Sequence, residues 1–223
     1  MLVEVISQID QWQNVPIFET GQPIVTLADI MPDRFVVSGP VPRLRQEAAQ
    51  RLVVATDILQ TQAGPDHKFL IFGSTRSLQT QQMLYERRLV QLMRAHPDKA
   101  DDLAWLEAEA VRFVTKPSLN TNAPSPHLTG GAIDLSIVKD EVDLLMMPPG
   151  VSDWSDQAHT AYFDSPLDDQ EREIRDNREL LFSCMVLAGF TNYPREYWHY
   201  DFGNQFWGAL TGNHAIYGLA PQD

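Results

Sequence analysis

Residues 125–134 read Ser-Pro-His-Leu-Thr-Gly-Gly-Ala-Ile-Asp, and 62 positions beyond that aspartate begins Glu196-Tyr-Trp-His199. Two histidines, an aspartate and a glutamate in these settings are the residue types of a catalytic zinc site. Three side chains can hold the ion and leave one position for water, while a nearby carboxylate takes that water's proton. Each half alone has a plainer alternative: His127 as a hydrogen-bonded loop histidine, and 196–200 as an aromatic core strand around a buried, satisfied histidine. His127 and Asp134 are seven positions apart, so on one continuous strand they would face opposite ways. Gly130-Gly131 is the turn available to bring both onto one ion. Glu196 and His199 also differ in parity, and a bend just after Pro194 would be needed to place Glu196 over the water. Trp198 and Tyr200 flank His199 and would wall the site from bulk water.

The elements that must position these residues can be read from periodicity. Residues 1–43 are rich in Val, Ile and Pro, lack helical spacing, and read as short strands and extended loops wrapping a core. Apolar spacing predicts helices over 43–61, 74–96, 99–114 and 168–188, with Met83, Leu84, Leu89, Val90, Leu92 and Met93 as the inner side of the second. Gly189 closes the last of these. Strands are expected at 68–73, 131–138 and 193–201. The segment 116–129 is a loop, and 139–167 is a long irregular stretch of the kind that is usually functional or disordered. Residues 205–223 read as a C-terminal tail. Helices early and late, without regular interleaving of strands, predict one α+β domain over 1–223 with a central, mostly antiparallel sheet flanked by helices.

Composition narrows the function classes. Of 223 residues, 17 are Lys or Arg and 30 are Asp or Glu, a net charge of −13. Such a chain repels phosphate backbones and has no basic stripe, so nucleic acid is not an expected partner. No apolar run approaches the ~18–20 residues that span a bilayer, and the start lacks the layout of a secretion signal. A cytoplasmic protein without a membrane partner is expected, and the sequence admits a homo-oligomer. Cys184, the single cysteine, lies in an apolar helical context and reads as a structural thiol.

Taken together, the two opening segments have the form Ser-x-His-x-x-Gly-x-Ala-x-Asp … Glu-x-Trp-His. This resembles the zinc D-alanyl-D-alanine dipeptidases of the VanX type, in the wider group that includes DD-carboxypeptidases and the hedgehog signalling domain. Ser125, His127, Gly130, Ala132 and Asp134 stand in register with that pattern, as do Glu196, Trp198 and His199. The likeness extends over most of residues 20–205. It implies a hedgehog/DD-peptidase-like fold and one Zn2+ per chain, held by His127, Asp134 and His199, with Glu196 as the general base. Arg76 matches the arginine that stabilises the tetrahedral intermediate, although Ser74 and Thr75 replace part of the usual Asp-Gly-Tyr before it. Asp153 matches the carboxylate that receives the dipeptide's ammonium group, with Asp156 and Asp143 as alternatives in the same loop. Ser125 is a candidate substrate contact whose other role is to order its own loop. His159 and His214 have no counterpart and are not expected to be ligands.

The function that the resemblance implies is hydrolysis of a small dipeptide such as D-alanyl-D-alanine. Two alternatives share parts of the pattern: a DD- or LD-carboxypeptidase acting on wall peptides, and a binding module that keeps the zinc fold without catalysis. Glu196 and Arg76 argue against the second, because a purely structural zinc has no use for a base beside an open position.

Overall fold

The computed structural model describes residues 9–148, 150 and 154–221. Strands β1 (Ile24–Thr26) and β3 (Arg43–Arg45) form a small antiparallel ribbon, with the short helix α1 (Leu27–Ile30) and β2 (Phe35–Val37) between them. The main sheet also contains β4 (His67–Gly73), β5 (Ala132–Lys139), β7 (Thr191–Asn192) and β8 (His199–Asp201), in the order β2-β4-β5-β8-β7. A two-residue strand, β6 (Asp143–Leu144), pairs with the far end of β5. Among the described strands of the main sheet only β2–β4 runs parallel, so the expected α+β class with a mostly antiparallel sheet is borne out.

One face of this sheet is apolar and buried. Phe69 and Ile71 of β4, Ile133, Leu135 and Ile137 of β5, and Tyr200 of β8 point into a core with helices α2 (Gln46–Ala63) and α5 (Asp169–Leu187). The alternation of a strand then sends Asp134, Ser136, His199 and Asp201 to the opposite face. A second layer covers that face in part: helices α3 (Leu78–Ala95) and α4 (Leu103–Ala110) pack through Tyr85, Leu92, Leu106 and Ala110. Cys184 is buried in the α5 side of the core, and burial pushes its thiol up to about 11, which keeps it an unreactive packing group.

Several expected boundaries shift for physical reasons. Helix α3 starts at Leu78 rather than 74, because Ser74 and Thr75 are held extended by bonds to β3. The Ser74 hydroxyl accepts from Arg43 N (3.1 Å), and Thr75 N and Oγ1 both donate to Arg43 O (3.1 and 2.6 Å). Ser77 then caps the helix by accepting from Thr80 N. The inner side of α3 also differs from expectation. Met83, Val90 and Met93 are exposed, while Gln81, Tyr85 and Leu92 are buried. Helix α4 is shorter than 99–114, because Asp102 caps it at Trp105 N and the preceding Pro97–Lys99 forms a separate 3-10 turn.

The expected strand over 193–201 is instead the hairpin β7–β8 with a six-residue connection. The expected tail carries a further helix, α6 (Gln205–Thr211), capped by Asn204 and ended at Gly212. Among the described residues, no helix is long and apolar enough to cross a membrane.

Candidate metal centre and catalytic site

Asp134 and His199 are placed by sheet register. They are directly paired residues of β5 and β8, so their side chains stand side by side on one face. On the other flank, Asp134 faces Gly73 of β4, where the ladder shifts register. A Cβ at Gly73 would lie 2.2 Å from Asp134 Oδ2, so only glycine leaves room for this carboxylate. The row Gly73–Asp134–His199 therefore spans three strands.

His127 reaches the same point from outside the sheet. It lies in the 3-10 turn Pro126–Leu128, and the chain turns into β5 through Gly130, at φ +77°. The parity conflict expected between His127 and Asp134 does not arise, since His127 is not on the strand. Its Nδ1 donates to Ser74 O (2.8 Å), which points Nε2 into the site. The bend expected after Pro194 is present as a turn closed by Glu196 N donating to Tyr193 O (2.9 Å). Asn192 Nδ2 secures the loop by donating to Glu196 O (3.1 Å) and His199 O (3.0 Å). Glu196 thus precedes β8 and strand parity does not apply to it either.

The donor atoms fit a metal. His127 Nε2 is 3.2 Å from His199 Nδ1 and 3.2 Å from Asp134 Oδ2, and His199 Nδ1 is 2.8 Å from Asp134 Oδ1. Tetrahedral zinc with bonds of about 2.0–2.2 Å sets its ligand atoms roughly 3.3 Å apart. Two imidazoles and a carboxylate, all buried, are also the chemistry of a catalytic zinc set. Among the described residues, this is the one such group, and neither His159 nor His214 belongs to it.

Electrostatics separate the roles. Burial pushes the His127 pKa down, with Arg76 adding to the effect, so this imidazole is neutral and ready to donate a lone pair. Burial opposes charge on His199, but Asp201 and Asp134 outweigh it and hold its pKa well above the ordinary value. Burial likewise opposes ionised Asp134, and the adjacent His127 and Arg76 more than reverse this, keeping its pKa well below normal. Glu196 goes the other way: burial, helped by Asp134 and Asp201, raises its pKa to about 8 despite His199 and Arg76. A carboxylate near neutrality beside a metal set is matched to taking and returning a proton.

That shift has a measurable consequence in chelator-treated protein. The folded state retains the Glu196 proton up to about pH 8, whereas the unfolded chain loses it near 4.5. Between those values the folded state binds the extra proton, so this group's contribution to stability falls as pH rises. Glu196→Gln removes the penalty, and its stability advantage over the parent in urea titrations should grow from about pH 5 to 8. An advantage that stays constant across that range would contradict a buried, proton-holding Glu196.

Sequence reading did not single out three residues that support the site. Asp201 Oδ2 accepts from His199 Nε2 (3.0 Å), and Asn204 Nδ2 in turn donates to Asp201 Oδ1 (2.5 Å). The signal was present, because His199-x-Asp201 on a strand shares a face. This relay fixes the imidazole's tautomer and raises its basicity. Asp201→Asn should weaken zinc affinity about 10- to 100-fold in chelator competition, and unchanged affinity would deny it that role. The third residue, Gln81, is buried where an outward polar residue was expected. Its Nε2 donates to Thr115 O (2.8 Å) and its Oε1 lies 3.5 Å from Arg76 Nη1.

Arg76 is where the sequence placed it. Its N donates to His127 O (3.0 Å), and its guanidinium pairs with Asp134 Oδ2. Together with Glu196, His127, Asp134 and His199 it lines a cavity of about 70 Å³. The remaining walls are mainly apolar, including Leu84, Phe113, Val114, Trp154, Trp198 and Phe206. Trp198 walls the site as expected, but Tyr200 does not, because it lies on the core face of β8.

The other candidates among the described residues are not brought to the cavity. Ser125 Oγ donates to Lys116 O (3.0 Å) and so orders the loop rather than facing the cavity. Asp153 lies outside the described residues. Asp156 and Asp143 are described and exposed, and neither lines the cavity. Among the described residues of 139–167, it is Trp154 that does.

Comparison with known proteins agrees with this geometry. A family model described as D-ala-D-ala dipeptidase matches residues 46–216. A D-alanyl-D-alanine dipeptidase of Synechocystis sp. is 25% identical over 154 residues, which are 64% of this chain and 62% of that protein. The chain thus spans less than two thirds of the length of that relative. Among solved structures, the LD-carboxypeptidase LdcB aligns at TM-score 0.45 and 16% identity, over 91% of this chain and 78% of its own. The vancomycin-resistance D,D-pentapeptidase VanY, solved as a mutant with Zn(II), aligns at TM-score 0.46 and 16% identity, over 92% and 97%. With most of its length matched by the family model, the chain belongs to peptidase family M15, described as D-ala-D-ala dipeptidase, and among its described residues His127, Asp134 and His199 are the group that could hold a metal ion.

Proposed function

We propose that this chain hydrolyses D-alanyl-D-alanine or a closely related dipeptide. The observation that carries the reading is the small, mainly apolar cavity of about 70 Å³ in which a buried Glu196 faces the His127–Asp134–His199 set. When bound there, Zn2+ supplies Lewis acidity, acidifying water and polarising the scissile carbonyl. Glu196 accepts the water's proton and later delivers it to the leaving amine, a task suited to a carboxylate with a pKa near working pH. The Arg76 guanidinium faces the charge that develops on the carbonyl oxygen, a contribution of roughly 3–4 kcal/mol per donor in comparable sites. Phe113, Trp154, Trp198 and Phe206 exclude bulk water, which strengthens these interactions. The small volume suits side chains of alanine size.

The assignment of Asp153 as acceptor of the substrate ammonium belongs to the same proposal and would restrict the enzyme to dipeptides with a free amine. A panel of LL, LD, DL and DD dipeptides, with free and blocked amino ends, and a pentapeptide ending in D-Ala-D-Ala tests it. Cleavage of the free DD dipeptide, with little or none of the blocked forms or the pentapeptide, is expected. Preferential cleavage of the pentapeptide would replace the dipeptidase reading with a carboxypeptidase one.

A further inference from the structure

Arg178 of α5 is buried, and its guanidinium bonds no carboxylate among the described residues. Backbone of the 139–167 loop compensates it instead. Nη1 donates to His159 O (3.0 Å), and Nη2 donates to Gln157 O (2.9 Å) and to Pro148 O. The guanidinium carbon lies over two aromatic rings, Tyr197 at 4.1 Å and Phe163 at 4.8 Å. Burial lowers the Arg178 pKa to about 10, so the group keeps its charge at neutral pH. Burying a cation is costly unless its donors are satisfied, and the rigid fork of arginine can meet carbonyls from separate directions at once.

What this cation gathers borders the catalytic cavity. The three carbonyls belong to stretches on either side of Trp154, which lines that cavity and packs against both apolar clusters beside it. Tyr197, under the guanidinium, stands between Glu196 and Trp198 and is tied to the same loop. Its hydroxyl donates to Met147 O and its N to Ala158 O (2.9 Å). Thr160 adds two bonds to the base-bearing turn, from N to Pro194 O (3.0 Å) and from Oγ1 to Asn192 Oδ1 (2.5 Å). Asn192 is the residue that holds Glu196 O and His199 O. Without the cation, three carbonyl dipoles would converge with no donor between them, and the loop would have no reason to close there.

We propose that Arg178 is a positioning residue for the reaction: one buried cation, compensated by loop carbonyls, sets Trp154 as a wall of the cavity and fixes the loop against the turn that carries Glu196. The inference rests on the peptidase reading and deepens it, since Arg178 belongs neither to the ligand set nor to the cavity lining. It gives a reason for a charge at a point of α5 where an apolar side chain would pack without a desolvation cost. The role needs charge for the carbonyls and flatness for the rings, and lysine supplies only the first.

The test is Arg178→Ala, because a small cation of the same shape can replace what it removes. The Arg178 side chain lines a groove of about 600 Å³ beside Phe163, a route by which guanidinium can reach the vacated position. Zinc-loaded variant, assayed well below its Tm, should keep its zinc and lose about 10- to 100-fold in kcat/KM for D-Ala-D-Ala. Guanidinium chloride, far below denaturing concentrations, should recover part of that loss, and urea, flat but uncharged, should not. Parental kcat/KM, a loss that guanidinium leaves untouched, or a loss that follows zinc content overturns the proposal. Should Arg178→Ala not fold, Arg178→Lys takes its place: lowered kcat/KM at parental zinc content supports the role, and parental kcat/KM overturns it. If the parent cleaves no dipeptide, the peptidase reading fails by itself, and Trp154 fluorescence, isolated by difference from Trp154→Phe, decides the positioning role. Easier acrylamide quenching in Arg178→Ala, reversed by guanidinium, supports it; quenching that is equal, or that guanidinium does not reverse, rejects it.

Discussion

Glu196→Ala is expected to lower turnover by at least about 100-fold while zinc content stays at one per chain. The loss is that of a positioned base, since among the described residues lining the cavity nothing else can take a proton from water in its place. His127, Asp134 and His199 are all directed at the ion, and the Arg76 guanidinium offers donors and no acceptor. Zinc is retained because the ligand group does not include Glu196. Truncating a buried carboxylate that resists ionisation also removes a burden on the fold rather than a support. Metal analysis and steady-state kinetics on the same preparation decide the matter. A zinc-loaded alanine variant that keeps parental turnover would remove Glu196 from the mechanism.

His199→Ala should act by a different route, with the larger structural effect. Loss of one of three protein ligands should leave the purified chain nearly free of zinc. A second penalty appears even without metal. His199 bridges Asp134 Oδ1 and Asp201 Oδ2 within a fully buried cluster, and its raised pKa marks it as the cation between them. Removing one partner of such a buried array costs about 3–5 kcal/mol, because the remaining charges lose their compensation. Urea unfolding of chelator-treated parent and variant isolates that term from the loss of metal. Parental zinc stoichiometry in the variant would show that His199 is not a ligand.

The chemistry of the site was legible in the sequence, and its scaffolding only in part. His127, Asp134, Glu196 and His199 could be found because metal and proton chemistry restrict residue type, and because the two segments constrain each other. The strands expected at 68–73 and 131–138 were visible as apolar runs: β5 is buried on both faces, with only Asp134 and Ser136 interrupting the run before Lys139, whereas β4 fully buries only Phe69 and Ile71. Parity arguments failed at His127 and Glu196, since both lie in turns next to strands and not on them. The inner side of helix α3 was read correctly at Leu84, Leu89 and Leu92 but not at Met83, Val90 and Met93, and hydropathy could not register that Gln81, a polar residue tied to Thr115 and set close to Arg76, is buried there. Helix α6 was overlooked although Asn204 and Gly212 are ordinary start and stop residues, because its seven residues contain little periodicity.

The direct pairing of Asp134 with His199 has a consequence for how the chain folds. If β8 slipped by one residue against β5, Trp198 or Tyr200 would stand opposite Asp134, and the ligand pair would be lost. The ion therefore rewards a single alignment of two strands that lie 65 residues apart in the chain. It also requires the 126–128 turn and the glycine of β4 to be in place. Zinc uptake during refolding would thus time the moment at which β5 and β8, far apart in the chain, have found their correct alignment.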